Sequence, residues 1–108
     1  MDTIFSSASS AQKSAIKVVR VSGNETKKIP KIFSFKPTLP RVASLRKIYD
    51  QNHNIIDNAL IIYFPGPNTV TGEDVIEFHI HGSIVIEKKI YDVLTNLNGF
   101  RIAARGEF

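Results

Sequence analysis

The side chains with the clearest binding chemistry lie on one predicted strand. Over residues 74–81 apolar and polar residues alternate, so one face of the strand carries Glu77, His79 and His81. A carboxylate there can accept two parallel hydrogen bonds from an amidine-like edge, such as the N3–H and 2-amino group of a pterin or guanine. Arg20, near the end of another predicted strand, can donate a fork of hydrogen bonds to a carbonyl or carboxylate. Residue types alone favour the plainer alternative, in which Arg20 and Glu77 pair with each other or face solvent.

The two histidines of this strand are weak candidates for a metal site. The pair His79-x-His81 offers two ligands, but zinc needs at least a third protein ligand, and the chain has no cysteine to supply it. Histidines held by ordinary hydrogen bonds are the preferred interpretation, and no metal is assigned. No GxxxxGKS/T phosphate loop, GxGxxG or GxSxG motif occurs. We therefore expect this chain neither to bind GTP nor to be catalytic on its own.

The pattern of apolar residues predicts an α+β fold, a mixed sheet with two helices packed against it. The continuous run ALIIYF within the strand at 55–64 predicts burial of that strand on both faces. Further strands are predicted at 3–8, 15–22, 42–49 and 100–103. The predicted core face of the strand at 74–81 consists of Ile76, Phe78 and Ile80.

Both predicted helices have recognisable boundaries. A short helix is predicted over 24–34, with Asn24 as its N-cap and Pro30 limiting its length. A longer amphipathic helix is predicted over 84–97, with Ser83 as its N-cap.

Composition fits one small globular domain with an uneven distribution of charge. The chain has 108 residues, 43% of them hydrophobic, no cysteine and a formal net charge of +4. Residues 13–47 contain ten basic side chains against one acid, Glu25, which leaves a small RNA-binding module open as an alternative function. No run approaches the ~18 apolar residues that a membrane span needs. The start MDTIFSSASS has neither a basic nor a long apolar leader, so a cytoplasmic protein is expected.

Four stretches together resemble a known family. They are residues 2–5 (DTIF), 18–23 (VVRVSG), 101–108 (RIAARGEF) and the nineteen-residue run at 64–82 (FPGPNTVTGEDVIEFHIHG). Taken in their order along the chain, they resemble the N-terminal domain of the tRNA-modification GTPase family MnmE, also called TrmE. The resemblance covers essentially the whole chain, and the longest run makes chance a poor explanation.

The resemblance implies a fold like the folate-binding domains of one-carbon, aminomethyltransferase-like enzymes. Residues 1–108 would form a single N-terminal folate-binding and dimerisation domain, with the helical and G domains of the family outside this chain. Members modify the 5-position of wobble uridine in tRNA (a carboxymethylaminomethyl-type modification) together with the FAD-dependent protein GidA, or MnmG. The one-carbon unit comes from 5-formyl- or 5,10-methylene-tetrahydrofolate. GTP, Mg and K would bind only to the full-length protein, and tRNA would bind through the complex.

Carried over residue by residue, the resemblance assigns folate binding to Arg20 and Glu77. Arg20 matches the arginine of the Arg-x-Ser-Gly motif, and Glu77 matches the last glutamate of the Glu-Asp-Val-x-Glu motif. His81 and Gly82 match the family's Gly-His-Gly and are possible neighbours of the site, whereas His79 has no counterpart in that motif. The resemblance also implies a homodimer in the bacterial cytoplasm, with the mitochondrial matrix as the alternative location.

One segment departs from the family pattern. Many members carry a Pro-Pro-Gly-Arg-Gly-type turn before the second strand, whereas this chain has Ser10-Ala11-Gln12-Lys13-Ser14. Any ligand contact made by that turn is therefore left open. A dimer scaffold without folate affinity accordingly stands as an alternative, beside the RNA-binding module.

Overall fold

A computed structural model describes residues 2–7 and 15–108, and its main element is one mixed six-stranded sheet. The strands are β1 (Thr3–Ser7), β2 (Ile16–Ser22), β3 (Ser44–Tyr49), β4 (Ile55–Phe64), β5 (Val75–His81) and β6 (Phe100–Ile102). Across the sheet they follow the order β3-β4-β5-β2-β1-β6. Neighbouring strands are antiparallel except β1 and β6, which are parallel. The predicted α+β class with a mixed sheet is confirmed, and the predicted turn at 10–14 lies outside the described residues.

In the part of the chain that the structure describes, two α-helices pack against one face of this sheet. A 3-10 helix, Asn24–Lys28, leads into the short α1 (Ile29–Ile32), and α2 covers Ile84–Thr95. The first predicted helix is thus one 3-10 segment followed by a single α-helical turn that has Pro30 near its start. Ser83 caps α2 as predicted, because its Oγ accepts a hydrogen bond from the Ile86 N–H at 3.3 Å.

The core lies between the helices and the sheet face that they cover. Phe78 of β5 packs edge-on against Phe33 and Phe35, with ring centroids 5.1 and 6.4 Å apart. Ile90 and Leu94 of α2 are fully buried in the same cluster. Burial of these apolar side chains is the main force that holds the helices on this side.

The opposite face of the sheet is not covered by either helix. On β5, Ile76, Phe78 and Ile80 are each at most 2% exposed, so the predicted core face is confirmed and the alternate residues face outward. The register of β1 to β5 arranges the outward residues in rows across this open face. The rows are Leu45–Leu60–His79–Val18, Ile62–Glu77–Arg20–Ser6 and Phe64–Val75–Ser22–Ile4.

Two predictions about local structure are wrong. β4 is not buried on both faces, because the helices cover only one side of the sheet and Leu60 stays 41% exposed. Asn24 is not an N-cap either, since Gly23 occupies that position without a side-chain hydrogen bond. The Glu25 N–H that a cap would satisfy donates instead to Thr3 Oγ1 at 2.8 Å, across to β1.

Candidate ligand-binding site

Arg20, Glu77 and His79 form one hydrogen-bonded cluster on the open face. The antiparallel register of β2 and β5 sets Arg20 directly opposite Glu77. Arg20 Nε donates to Glu77 Oε2 at 2.9 Å, and His79 Nε2 lies 2.9 Å from Glu77 Oε1. An ionised carboxylate has no proton to give, so His79 is the donor in that contact. The pairing that residue types favoured is therefore present, and His79, which motif matching left out, is the third member.

Glu77 is ionised in this setting. Burial by itself would raise the pKa of its carboxyl, but the hydrogen bonds and charges of His79 and Arg20 outweigh burial and hold the pKa below its ordinary value. The Glu77 side chain is 15% exposed and that of Arg20 is 32% exposed. The site therefore presents a charged acceptor that is largely shielded from bulk water.

A cavity of about 540 Å³ opens beside the cluster on the same face. Arg20 and Glu77 form part of its wall, and Phe64 and Val75, which are paired across β4 and β5, supply apolar surface. This volume lies within the range of roughly 300–1,000 Å³ that is typical of small-molecule sites. The other lining residues come from two loops: Arg41, Pro67, Asn68, Thr69 and Val70.

The loop at 65–74 that borders the cavity is fixed by its own hydrogen bonds. The Gly66 N–H donates to Asp74 Oδ1 at 2.8 Å, which closes the loop across its base. The hydroxyl oxygens of Ser22 and Thr71 lie 2.6 Å apart and tie the loop to β2. These contacts hold the loop against the sheet beside Glu77.

Arg41 lines the same cavity, although nothing in the sequence singled it out. Its Nη2 donates to the Asn68 carbonyl at 2.7 Å, and its guanidinium carbon lies 5.6 Å from the centre of the Phe64 ring. The residue belongs to the loop that precedes β3, which meets the loop at 65–74 only in the folded chain. No spacing pattern along the sequence therefore relates Arg41 to Glu77.

His81 and Gly82 lie at the end of β5, away from Val75 and the cavity. His81 is exposed, with its Nδ1 2.8 Å from Asp57 Oδ1 and its N–H donating to Asp57 Oδ2 at 3.0 Å. The Gly82 N–H donates to the Ala15 carbonyl at 2.9 Å. Neither residue lines the cavity that Arg20 and Glu77 share.

A second cavity, of about 360 Å³, lies on the helix-covered side of the sheet. Core residues Phe35 and Ile76 form part of its wall, and Lys27 and Lys31 also line it. Thr38 Oγ1 is buried there without a hydrogen-bond partner among the described residues. None of the described lining residues is an acid, so this cavity offers no carboxylate to an amidine-like edge.

The basic segment at 13–47 does not form one uniform positive surface in the described part of the chain. Lys17 is 5% exposed on the core side, and its Nζ lies 4.0 Å from Glu87 Oε2. Lys28 pairs with Glu25 at 2.7 Å. Part of the charge excess is therefore neutralised locally, which weakens the argument for RNA binding.

Two further findings concern only residues 2–7 and 15–108. Across those ranges, no three His, Cys, Asp or Glu side chains come together in a group that could hold a metal ion. In the same part of the chain, no helix combines the length and the apolar surface that a bilayer span requires.

These features define a class of α+β domain whose open sheet face carries a polar cluster beside a cavity of small-molecule size. A family model described as "GTP-binding protein TrmE N-terminus" matches residues 3–108. The chain belongs to this family, which confirms the resemblance inferred from the four sequence stretches.

Curated relatives agree with this assignment. A protein named tRNA modification GTPase MnmE from Wolbachia pipientis subsp. Culex pipiens is 44% identical over 108 residues, and its namesake from Anaplasma marginale is 41% identical over 108 residues. Each match covers 99% of this chain and 24% of the relative. The namesake from Rickettsia bellii is 40% identical over 110 residues, with all of this chain and 25% of the relative covered. The chain thus spans about a quarter of the length of these relatives.

Proposed function

We propose that this chain is the N-terminal domain of a tRNA-modification GTPase and that it binds a reduced folate as a homodimer. The ligand would be 5-formyl- or 5,10-methylene-tetrahydrofolate, held as in the folate-binding domains of one-carbon enzymes. The observation that carries the proposal is Glu77, an ionised carboxylate on the wall of a cavity large enough for a pterin. The name tRNA modification GTPase MnmE, which the curated relatives carry, supports it.

Contacts within the described part of the chain leave Glu77 with acceptor capacity for such a ligand. A carboxylate offers about four lone-pair positions, and Arg20 and His79 use one on each oxygen. The remaining position on each oxygen matches one of the two parallel donors of a pterin, N3–H and the 2-amino group. Arg20 orients the carboxylate and, from the same wall, has further N–H groups to offer the ligand. Phe64 supplies an aromatic surface beside the ring.

In this proposal the domain positions its ligand and does not catalyse. The bound folate supplies the one-carbon unit, and the cavity walls hold it where the 5-position of a wobble uridine can be reached. A FAD-dependent partner of the GidA (MnmG) type would take part, and tRNA would bind through that complex. GTP, Mg and K would bind in other parts of a full-length protein, consistent with the lack of a phosphate loop in these 108 residues. The proposed location is the bacterial cytoplasm.

Calorimetric titration with 5-formyltetrahydrofolate tests the folate part of the proposal. Glu77→Gln should weaken binding by about thirty- to over a hundredfold, or 2–3 kcal/mol, because it removes a charge-assisted pair and sets an NH₂ group against a ligand donor. Glu73→Gln is the matched control, since it makes the same change in the same motif but does not line the cavity.

Each failure of that titration points to one of the alternatives. A wild-type protein that dimerises without binding folate would be a scaffold. Salt-dependent tRNA binding by the isolated domain, again without folate binding, would identify an RNA-binding module.

Exposed apolar side chains on the open face support the homodimer part of the proposal. Leu45 and Leu60 are cross-strand neighbours and are 57% and 41% exposed, and Ile16 of β2 is 54% exposed. Apolar residues that gather on one side of a sheet are commonly buried by a second copy of the chain.

Sedimentation velocity at about ten to a hundred micromolar tests this association, because a specific interface holds in that range. Leu60→Asp should weaken the dimer by roughly thirty- to several-hundredfold, since a symmetric interface contains the change twice. The matched control is Ile84→Asp on α2, which alters a side chain that is 74% exposed. A monomeric wild type, or an equal effect of both variants, would contradict the proposed interface.

A further inference from the structure

The backbone of Arg41 is strained at the point where the residue borders the cavity. Its φ of 62° lies in the left-handed region, which costs a residue other than glycine roughly 1–2 kcal/mol. Arginine also lacks the short polar side chain with which asparagine and aspartate stabilise that region locally. The Arg41 N–H donates to the Tyr63 carbonyl at 2.7 Å, which holds the residue against β4. Strain that is held in place beside a cavity is a frequent mark of a binding residue.

The Arg41 guanidinium has donors that its contacts with the described residues do not use. Of its five N–H groups, the 2.7 Å contact with the Asn68 carbonyl uses one, and the packing over Phe64 uses none. Within residues 2–7 and 15–108, no carboxylate lies at ion-pair distance from Arg41, whereas Arg20 and Arg101 both have acidic partners there. The cavity therefore has an uncompensated cation at one side and the Glu77 carboxylate at another.

We propose that Arg41 is the anion subsite of this cavity and binds a tail carboxylate of the ligand whose ring edge lies on Glu77. The inference rests on the proposed folate function, because a folate carries paired donors on its pterin and carboxylates on its glutamyl tail. Glu77 can only accept hydrogen bonds and Arg41 can only donate them. Together they select a molecule that is a donor at one end and an anion at the other. A pterin without the glutamyl tail would bind to Glu77 and make no contact with Arg41.

Two ligands and two sets of variants separate the subsites. The ligands are 5-formyltetrahydrofolate and 6-methyltetrahydropterin, which keeps the ring edge and has no carboxylate. The variants are Arg41→Gln and Arg41→Asn, the second chosen because asparagine tolerates positive φ. Both should weaken 5-formyltetrahydrofolate binding by about five- to tenfold and change 6-methyltetrahydropterin binding by less than about twofold. Glu77→Gln should weaken both ligands. Arg46→Gln is the matched control, since Arg46 also donates to a backbone carbonyl (of Lys36, at 2.9 Å) and does not line the cavity.

The outcomes distinguish this inference from the proposed function. If the wild type binds neither ligand, the folate function itself fails and the subsite fails with it. If folate binds and the Arg41 variants leave its affinity unchanged, or weaken both ligands equally, only the subsite is overturned. If 6-methyltetrahydropterin binds too weakly to titrate, the KCl dependence of 5-formyltetrahydrofolate binding tests whether Arg41 contacts the tail carboxylate. That dependence should be shallower in Arg41→Asn than in wild type, and parallel slopes would overturn the subsite.

Discussion

Glu77→Gln should lower the stability of the folded domain as well as its affinity for ligand. The carboxylate accepts hydrogen bonds from Arg20 Nε and His79 Nε2, both at 2.9 Å. A glutamine keeps one acceptor, so one of these two donors loses its partner or meets an NH₂ group. The variant therefore damages a three-residue cluster that joins β2 to β5.

The size of the loss follows from the shielding of the cluster. A hydrogen bond to a charged group contributes about 1.5–3 kcal/mol, but Arg20 and His79 keep 32% and 27% of their side chains exposed, so water screens both contacts. We expect a net loss of about 1–2 kcal/mol, which lowers the melting temperature by roughly 5–10 °C in a domain of this size.

The loss should also depend on pH. The pKa of Glu77 is lower in the folded domain than in the unfolded chain, so the ionised carboxylate stabilises the fold at pH values above its unfolded pKa of about 4.3. As the pH falls through the lower folded pKa, the wild type loses this contribution and the variant has none to lose. The stability difference between the two should therefore be complete near about pH 6–7 and shrink below about pH 4.

Thermal unfolding followed by circular dichroism over this pH series measures the effect. Asp92→Asn is the control, because Asp92 pairs with Lys88 at 3.0 Å on the exposed side of α2 and should contribute less than about 0.5 kcal/mol. Equal melting temperatures of wild type and Glu77→Gln at neutral pH would refute the reasoning. So would a difference that stays constant down to about pH 3.

Three further predictions follow from local geometry and from the sequence. Gly23→Ala should destabilise the domain by about 3 kcal/mol, because the added Cβ would lie 2.7 Å from the Thr3 Cα and the backbone there has a φ of 141°. A loss of stability below about 1 kcal/mol in urea unfolding would contradict this prediction. Ser34→Gly should stabilise it by about 0.5–1 kcal/mol, since Ser34 has a φ of 58° just after α1, and an unchanged or lower unfolding midpoint would count against that reasoning. GTP with Mg should leave the melting temperature unchanged, because the 108 residues contain no phosphate loop, and a nucleotide-dependent rise would overturn this.

The sheet was largely predictable because strand signals are local. Alternation along β5 separates Ile76 and Phe78 from Glu77 without any knowledge of neighbouring strands. What covers the second face of a strand is not local information, and for this reason the prediction that β4 is buried on both faces is wrong. Leu60 is apolar and 41% exposed, and its exposure follows only from the position of the helices on the other face of the sheet.

The site was predictable only where its residues are related by local sequence patterns. Sequence motifs point to Arg20 and Glu77, and the strand register sets the two residues opposite each other. His79 has no counterpart in the family motif, yet its contact with Glu77 follows from a spacing of two residues on one strand face. Arg41 could not be named, because it reaches the cavity through the meeting of two loops distant in sequence.

The central claim, that Glu77 accepts the amidine-like edge of a reduced folate, is tested most directly by a double cycle of binding measurements. Wild type and Glu77→Gln are titrated with 5-formyltetrahydrofolate and with its 2-desamino-2-methyl analogue, which lacks one of the two donors. If the claim holds, loss of the 2-amino group weakens wild-type binding by about tenfold or more and Glu77→Gln binding by less than about threefold. Equal losses in the two proteins would show that the 2-amino group and Glu77 do not interact, and would contradict the claim.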